Sequence, residues 1–246
     1  MRKLLGASRM LGMAMWLVFI GVPCILMRII LTPAPLAFRM RVGSFWTWFW
    51  GWGTSRILGI HFRVTGPTPP KGSFVVANHV SWMDIPLMGG AYLGSFIAKA
   101  EISGWPLFGW IAQASGTLFV NRGRSRDTHR LRDELSHLLQ RGIRIMMFAE
   151  GGAGCGKEIR PFRAPLFAAP AALEVPCVPA VFRYSTEDAW WPETMSLTRH
   201  VFEIACRTDV SCELHHGDPV QGISDRKELA AELQKKCEAL YAAPRS

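Results

Sequence analysis

Residues 72–86 read GSFVVANHVSWMDIP, and this stretch combines a strand, a loop and a helix start. The run Phe74–Ala77 is short, apolar and rich in β-branched residues, which is typical of a buried strand. Ser81 suits a helix N-cap, and Asp84 follows where a carboxylate can meet free backbone N–H groups. The stretch therefore predicts a buried strand that ends at a loop carrying His79, the place where open α/β sheets bind ligands.

Short apolar runs alternate with helical patterns after about residue 66. Residues 126–141 repeat leucine at the helical period, and Asp225 with Glu228 resembles a capping box at the start of a last helix. The strand-like runs are 74–77, 95–98, 117–120, 143–148 and 175–182. This alternation predicts the fold class α/β, with a largely parallel sheet covered by helices.

The first sixty residues are apolar and predict an N-terminal membrane-embedded helical hairpin. Residues 10–27 carry no charge and would form a helix of about 27 Å, slightly shorter than a ~30 Å hydrocarbon core, and Pro23 would bend it. Residues 42–55 also lack charge and are rich in tryptophan and phenylalanine, which suits the headgroup level of a bilayer. We therefore predict a membrane-anchoring segment over 1–60 and an α/β domain over 61–246.

Basic residues flank the first apolar run on both sides, so the charge bias gives no clear direction of crossing. A hairpin that enters one leaflet is favoured over a full span. A cleaved signal peptide is the third alternative, although the apolar run is longer than is usual for one.

The composition also indicates a membrane-facing protein. Charged residues make up 19% of the 246 residues, below the roughly 25% of soluble domains, and the formal net charge is +9. Such charge suits an anionic lipid surface. No nucleic-acid partner is predicted, since the basic residues are scattered and form no nucleic-acid-binding signature. The six cysteines show no zinc spacing, so no metal site is predicted, and free thiols fit a domain that faces the cytoplasm.

His79 and Asp84 form a candidate pair of base and carboxylate. A histidine can take a proton from a hydroxyl near neutral pH, and a neighbouring carboxylate fixes its tautomer and stabilises the imidazolium. No nucleophile elbow surrounds Ser81, so the activated hydroxyl would belong to a substrate. On these residues alone, a loop histidine beside a helix cap is the alternative interpretation.

Residues 151–158, GGAGCGKE, come close to a phosphate-binding loop. Glu158 stands where a Ser or Thr would hold Mg²⁺, and a proline follows soon after, so nucleotide hydrolysis is disfavoured. The glycines would still offer backbone N–H groups to an anion, with Lys157, Arg160 or Arg163 as the cation.

Four segments occur in the order and spacing of the glycerolipid acyltransferase family. They are NHVSWMD at 78–84, GTLFVNR at 116–122, FAEG at 148–151 and VPCVP at 175–179. From about residue 66 to 184 the chain resembles the bacterial 1-acylglycerol-3-phosphate acyltransferases and their lysophospholipid acyltransferase relatives. The third segment departs from the family pattern, which usually continues Glu-Gly-Thr-Arg, because Gly152 and Ala153 follow here and an arginine is absent.

The resemblance implies that residues 61–246 are an acyltransferase domain with His79 as the catalytic base and Asp84 as its partner. It implies that Arg122 binds the acceptor's head group, and that Glu150 and Gly151 belong to the same acceptor site. No metal and no cofactor are expected.

The reaction implied by the resemblance moves an acyl chain from an acyl carrier protein or coenzyme A thioester to the free hydroxyl of a lysolipid. The expected location is the cytoplasmic face of the inner membrane. Lysophosphatidic acid is the first expected acceptor. Lyso-ornithine lipid is the alternative, because residues 105–109, 148–151 and 160–167 look like that branch and the absent arginine weakens the case for a phosphate; other lysophospholipids also stay open. A non-catalytic protein that binds anionic membranes is an alternative of a different class.

Overall fold

The computed structural model describes residues 1–105, 107–120, 125–191 and 194–244. In these parts of the chain one seven-stranded sheet is formed by β1 (His61–Thr65), β2 (Phe74–Ala77), β3 (Ser95–Lys99), β4 (Leu118–Val120), β5 (Ile145–Phe148), β6 (Cys177–Tyr184) and β7 (Ser211–His216). The strand order is β1-β7-β6-β2-β5-β3-β4, and neighbouring strands are parallel except for the antiparallel pair β6–β7. The prediction of a largely parallel α/β sheet is confirmed.

Helices cover this sheet on both faces. They are α1 (Arg2–Ile30), α2 (Leu36–Leu58), α3 (Asp84–Ala91), α4 (Phe108–Ala114), α5 (Ser125–Gln140), α6 (Ala168–Leu173), α7 (Leu197–Ala205) and α8 (Arg226–Ala242), with 3₁₀ turns at Ala100–Gly104, Ala164–Phe167 and Glu187–Ala189. The predicted cap of the last helix is present, because Asp225 Oδ1 accepts from the N–H groups of Lys227 and Glu228 at 2.8 and 2.9 Å.

The core has two halves, one on each face of the sheet. Alternation along β2 sends Phe74 and Val76 into the half that also contains residues of α5 and α8, and sends Val75 and Ala77 into the half beneath α3 and α7. All four side chains are fully buried. The central strand that precedes His79 is therefore held on both faces.

Two strands at one end of the sheet, the edge strand β1 and its neighbour β7, were not among the predicted strands. β1 is largely exposed and β7 contains polar residues, so neither shows the apolar run that marks a buried strand. Their pairing is supported by polar contacts, among them the 2.9 Å hydrogen bond from Thr65 Oγ1 to Glu213 Oε1.

The predicted helical hairpin is present as α1 and α2, which pack on each other. Trp16 Nε1 donates to the Trp50 carbonyl at 3.1 Å, and a side-chain carbon at Gly53 would come within 2.2 Å of the Trp16 ring. α1 continues through Pro23 rather than ending there, and it is long and apolar enough to cross a membrane.

The outer side of α1 presents apolar residues to solvent, and these recur at helical spacing. Leu11, Met15, Phe19 and Leu26 are all exposed large side chains on this helix. Such a surface indicates membrane association. The division of the chain at residues 60 and 61 stays a prediction.

Candidate active site

The loop after β2 is fastened to the neighbouring strand by the side chain of Asn78. Asn78 Oδ1 accepts a 2.7 Å hydrogen bond from the N–H of Phe182, and Nδ2 donates to the Phe182 carbonyl at 3.2 Å. The buried amide thus continues the β2–β6 pairing beyond the end of β2, as a backbone peptide would. This contact sets the direction in which the next residue, His79, leaves the strand.

Asp84 is the centre of the loop that follows. The carboxylate is fully buried, and its Oδ2 accepts from His79 Nδ1 at 2.8 Å and from the N–H groups of Val80 and Ser81 at 2.7 and 2.9 Å. Its Oδ1 accepts from the Tyr184 hydroxyl at 2.6 Å. A buried carboxylate needs such donors to offset its loss of water, so the loop and Asp84 stabilise each other.

The imidazole of His79 is held by this carboxylate and by a neighbouring ring. Because Asp84 accepts at Nδ1, that nitrogen carries the hydrogen and Nε2 is the one that can take a proton. The Phe148 ring stacks on the imidazole with centroids 4.3 Å apart and an interplanar angle of 19°. The side chain is 12% exposed, so the ring is ordered by packing but remains accessible.

The predicted cap of α3 by Ser81 is wrong. The helix begins at Asp84, and the Ser81 hydroxyl instead accepts a 3.4 Å hydrogen bond from Met83 N–H within the preceding turn. The Asp84 side chain turns back toward the loop, where it meets the N–H groups described above, rather than forward along the helix. The helix start therefore serves to place a carboxylate beside His79.

Glu150, at the end of β5, fixes the backbone of His79 from the other side. Its Oε1 accepts from His79 N–H at 3.0 Å, and the N–H of Gly154 donates to the His79 carbonyl at 2.6 Å. Both backbone groups of His79 are thus bonded to the 150–154 loop. Burial raises the pKa of Glu150 above its ordinary value, while the His79 N–H and the Arg160 guanidinium act in the opposite direction.

Gly151 makes the turn that brings this loop back over the site. Its φ is +86°, in the left-handed region that glycine adopts without steric cost, and its N–H donates to the Phe148 carbonyl at 3.3 Å. The sequence prediction grouped Gly151 with Glu150, and the structure places the two side by side in this turn.

Two cations flank the loop at the place where the family pattern has an arginine and this chain has Ala153. Arg160 Nε donates to Glu150 Oε2 at 3.1 Å, and its Nη2 donates to the Gly152 carbonyl. Lys99, the last residue of β3, has its ammonium 3.9 Å from the point that a Cβ on Gly152 would occupy, and Arg160 Nη2 lies equally close to that point. Arg160 was one of three cations considered from the sequence, whereas Lys99 was missed.

The position of Lys99 at the end of a predicted strand could have identified it as a site residue. Parallel strands end at one edge of a sheet, so the terminal residue of β3 lies at the same edge as His79 and Glu150. Arg122, which the resemblance assigned to the acceptor site, follows the end of β4 but lies outside the described residues, and its role stays a prediction.

The loop that comes close to a phosphate-binding motif does not lead into a helix. Residues 152–163 are irregular, and the next element is the 3₁₀ turn at Ala164–Phe167. A Walker-type loop places its phosphate at a helix N-terminus. The described geometry therefore disfavours nucleotide binding here, in agreement with the sequence.

Tyr184 is the second residue of the site that sequence reasoning missed. β2 pairs with β6 as far as Ala77 and Ala180, but β6 continues to Tyr184 and carries its hydroxyl over the loop to Asp84. Burial and then the Asp84 charge raise the pKa of Tyr184 well above its ordinary value, so the phenol stays protonated and donates.

We expect Tyr184→Phe to lower the turnover number about tenfold and to leave the KM for both substrates unchanged. A hydrogen bond to a charged group contributes about 1.5–3 kcal/mol, and its loss here frees the carboxylate that holds His79, the predicted base. Tyr92→Phe is the matched control, because that buried hydroxyl bonds His216 at 2.6 Å instead of Asp84. Steady-state kinetics on both variants tests this, and equal losses of turnover in the two would contradict a positioning role for Tyr184.

Known proteins that resemble this chain are acyltransferases. Residues 60–183 match the family model described as Acyltransferase. A lyso-ornithine lipid O-acyltransferase from Pseudomonas aeruginosa is 36% identical over 185 residues, which cover 72% of this chain and 71% of that protein. A second protein of that name, from Brucella abortus, is 32% identical over 207 residues, which cover 76% of this chain and 78% of that protein.

A relative that aligns over fewer residues is named for a different acceptor. A 1-acyl-sn-glycerol-3-phosphate acyltransferase from Neisseria gonorrhoeae is 38% identical over 137 residues, covering 55% of this chain and 54% of that protein. Among solved structures, the 1-acyl-sn-glycerophosphate acyltransferase PlsC from Thermotoga maritima superposes over 100% of both chains with a TM-score of 0.69 and 21% identity. At this identity the match supports the fold.

Proposed function

Since this chain belongs to the acyltransferase family, we propose that it moves an acyl chain from an acyl thioester to the free hydroxyl of a lysolipid at a membrane surface. The observation that supports this best is the His79–Asp84 pair, joined at 2.8 Å on the loop after a central strand. The apolar outer side of α1 supports a site beside the bilayer, where the lipid acceptor resides.

The proposed reaction is a direct transfer between two bound substrates. His79 Nε2 removes the proton of the lysolipid hydroxyl as the oxygen attacks the thioester carbonyl, and a tetrahedral intermediate forms. The intermediate then collapses with cleavage of the carbon–sulfur bond, and His79 returns the proton to the departing thiolate. No covalent acyl-enzyme is needed, and Ser81, the hydroxyl closest to His79 in sequence, is fully buried.

Asp84 supports this proton transfer in two ways. It accepts from Nδ1 and so keeps Nε2 as the basic nitrogen, and its charge stabilises the imidazolium that forms during the attack. General-base assistance of this kind contributes roughly 10²–10⁴-fold in rate. Holding both reactants together contributes further, because a bimolecular attack becomes effectively unimolecular.

Lysophosphatidic acid is the acceptor that the charges of the site favour. Lys99 and Arg160 bring two cationic groups to Gly152, and although Arg160 is also paired with Glu150, such groups match a phosphate. Together with Arg122, they would supply the charge of the arginine that Ala153 replaces. The relative from Neisseria gonorrhoeae is named for this acceptor.

Lyso-ornithine lipid is the second candidate, and the extent of the matches favours it. The relatives from Pseudomonas aeruginosa and Brucella abortus are named for this acceptor and align over more than 70% of both chains. Its head group carries a carboxylate, which a guanidinium also binds in a bidentate way. The replacement of the family arginine by Ala153 fits this smaller anion.

We further propose that the donor is an acyl carrier protein or coenzyme A thioester and that the site faces the cytoplasm from the inner membrane. Both carriers are soluble cytoplasmic molecules, so the site must lie where this aqueous compartment meets the lipid. The formal charge of +9 fits the anionic cytoplasmic surface of such a membrane.

A single acceptor panel tests the proposal. Purified protein in lipid vesicles would be incubated with radiolabelled acyl thioester, on either carrier, and with lysophosphatidic acid, lyso-ornithine lipid or another lysophospholipid. We expect one lysolipid to gain the labelled chain, and its identity decides between the two acceptors. If no lysolipid gains label with either donor, the proposed reaction is wrong.

We expect Arg160→Gln to raise the KM for an anionic lysolipid about tenfold, because a charged hydrogen bond to the head group contributes at least about 1.5 kcal/mol. The KM for a monoacylglycerol, which lacks the anion, should change little. Arg163→Gln is the matched control, since Arg163 is exposed and lies on the same segment. Equal effects of Arg160→Gln on charged and uncharged acceptors would contradict a head-group role.

A further inference from the structure

A second apolar surface lies outside the N-terminal hairpin. Trp105 is 46% exposed, Phe108 is 48% exposed and Trp110 is 60% exposed, and Leu107 between them is also exposed. We call residues 105 and 107–110 the rim segment. Three exposed aromatic rings within six residues of sequence form an unusual surface for a water-facing helix, since large exposed apolar patches mark interaction sites.

The rim segment adjoins the lipid-facing helix. α4 packs against α1 at Gly21, where a side-chain carbon would lie within 2.5 Å of Ile111 Cδ1. Arg28 of α1 also donates a hydrogen bond to the Gln113 carbonyl at the end of α4. The exposed residues Phe19, Val22 and Leu26 lie at the same level along α1, so the rim segment is at the same height as the apolar outer side of this helix.

The backbone of the rim segment makes a tight turn before α4. Leu107, which immediately precedes this helix, has a φ of +64°, a left-handed conformation that is uncommon for a residue other than glycine. The N–H of Gly109 donates to the Trp105 carbonyl at 2.8 Å across the turn. The turn leaves the side chains of Leu107 and Phe108 exposed.

The rim segment also connects the membrane side to the site. It follows β3 by way of the 3₁₀ turn Ala100–Gly104, and β3 ends at Lys99 beside Gly152. The rim segment therefore leaves the same edge of the sheet at which His79 lies. If the rim segment lay in the headgroup layer, it would hold this edge of the sheet close to the depth of the lysolipid hydroxyl.

We propose that the rim segment is a membrane contact in addition to the α1–α2 hairpin, in which Trp105, Phe108 and Trp110 enter the headgroup region of the bilayer beside α1. Tryptophan is favoured at this depth, because its ring is amphipathic. The occupant is a lipid surface, since α4 packs directly against a helix that is apolar and long enough to cross a membrane. This contact does not depend on which lysolipid is the acceptor.

A depth measurement tests the contact without use of catalysis. Trp110→Cys, in a protein with the exposed Cys155 and the partly exposed Cys206 replaced by serine, would carry a thiol-reactive fluorophore. The labelled protein would be placed in phosphatidylethanolamine–phosphatidylglycerol vesicles that contain brominated phosphatidylcholine. We expect strong quenching, larger for bromines near the headgroup than for bromines near the bilayer centre.

Lys235→Cys in the same background is the control, because Lys235 is exposed on α8. A label there should not be quenched by brominated lipid. Lack of quenching at 110 would overturn the proposal. A second result would also overturn it. If the fluorescence of the label at 110 does not respond to brominated lipid but falls as the protein density in the vesicles rises, the segment contacts a second copy of the chain.

A kinetic measurement adds a second readout. We expect the double variant Phe108→Ser, Trp110→Ser to acylate a vesicle-embedded lysolipid about tenfold more slowly and a monomeric short-chain lysolipid at the normal rate. Leu93→Ser, an exposed apolar residue before β3, should leave both rates unchanged. An equal loss of rate on both acceptors would overturn the proposed membrane contact. A failed depth measurement with normal acyl transfer would overturn the contact but not the proposed reaction.

Discussion

Replacing His79 by glutamine is expected to lower the turnover number by roughly 10²–10⁴-fold and to leave membrane association unchanged. Glutamine keeps a polar side chain of similar length beside Phe148, but it cannot take a proton from the lysolipid hydroxyl. The backbone of His79 would still bond Glu150 and Gly154, so the loop should keep its shape. Acyl transfer is measured with labelled thioester, and vesicle flotation reports membrane association.

His137→Gln is the matched control, because His137 is exposed on α5, where no role in the reaction is assigned. This control should retain full activity. A non-catalytic membrane-binding protein is the alternative that this experiment addresses. Retention of acyl transfer by His79→Gln would show that another group acts as the base, and absence of transfer in the unaltered protein would favour the non-catalytic alternative.

The central part of the fold could be predicted because its signals are local. β2 is buried on both faces, so its four residues form an uninterrupted apolar run, and the loop with His79 and Asp84 follows at once. The spacing of these two residues on one short loop makes their contact almost independent of the remaining fold. Edge strands such as β1 lack this signal, because one face and one edge are open to water.

The contacts of Tyr184 and Arg160 could not be predicted, because they depend on strand register and on the path of a loop. Tyr184 reaches Asp84 only because β6 runs beyond the end of its partner β2, and no sequence pattern states where a partner strand stops. Arg160 was one of several nearby cations, and only the path of the irregular loop brings it, rather than Lys157, to Glu150. Local spacing thus predicts the contact between His79 and Asp84, whereas the hydrogen bonds that support it come from tertiary structure.

Asp84→Asn is expected to lower the turnover number by about 10³–10⁴-fold, which is the scale seen when an aspartate that orients a catalytic histidine becomes an amide. The carboxylate Oδ2 now accepts three hydrogen bonds, from His79 Nδ1 and from the N–H groups of Val80 and Ser81. An asparagine oxygen in this position can serve the two backbone donors, but it is neutral and no longer stabilises an imidazolium. If its amide nitrogen faces the imidazole instead, Nδ1 has to accept and the hydrogen moves to Nε2, which removes the base.

The fold should survive this change, and that separates the loss of catalysis from a loss of structure. With its oxygen at the Oδ2 position, asparagine retains an acceptor for the loop, and its amide nitrogen can donate to the Tyr184 hydroxyl oxygen in place of the present bond, so we expect the free energy of unfolding to fall by only about 1–3 kcal/mol. Asp84→Ala would remove the acceptor of the buried Val80 and Ser81 N–H groups and should unfold the loop. Thermal unfolding and single-turnover acyl transfer, measured on both variants, test this. Activity of Asp84→Asn within tenfold of the unaltered protein would contradict a role for the carboxylate in the chemical step, because a helix cap alone tolerates asparagine.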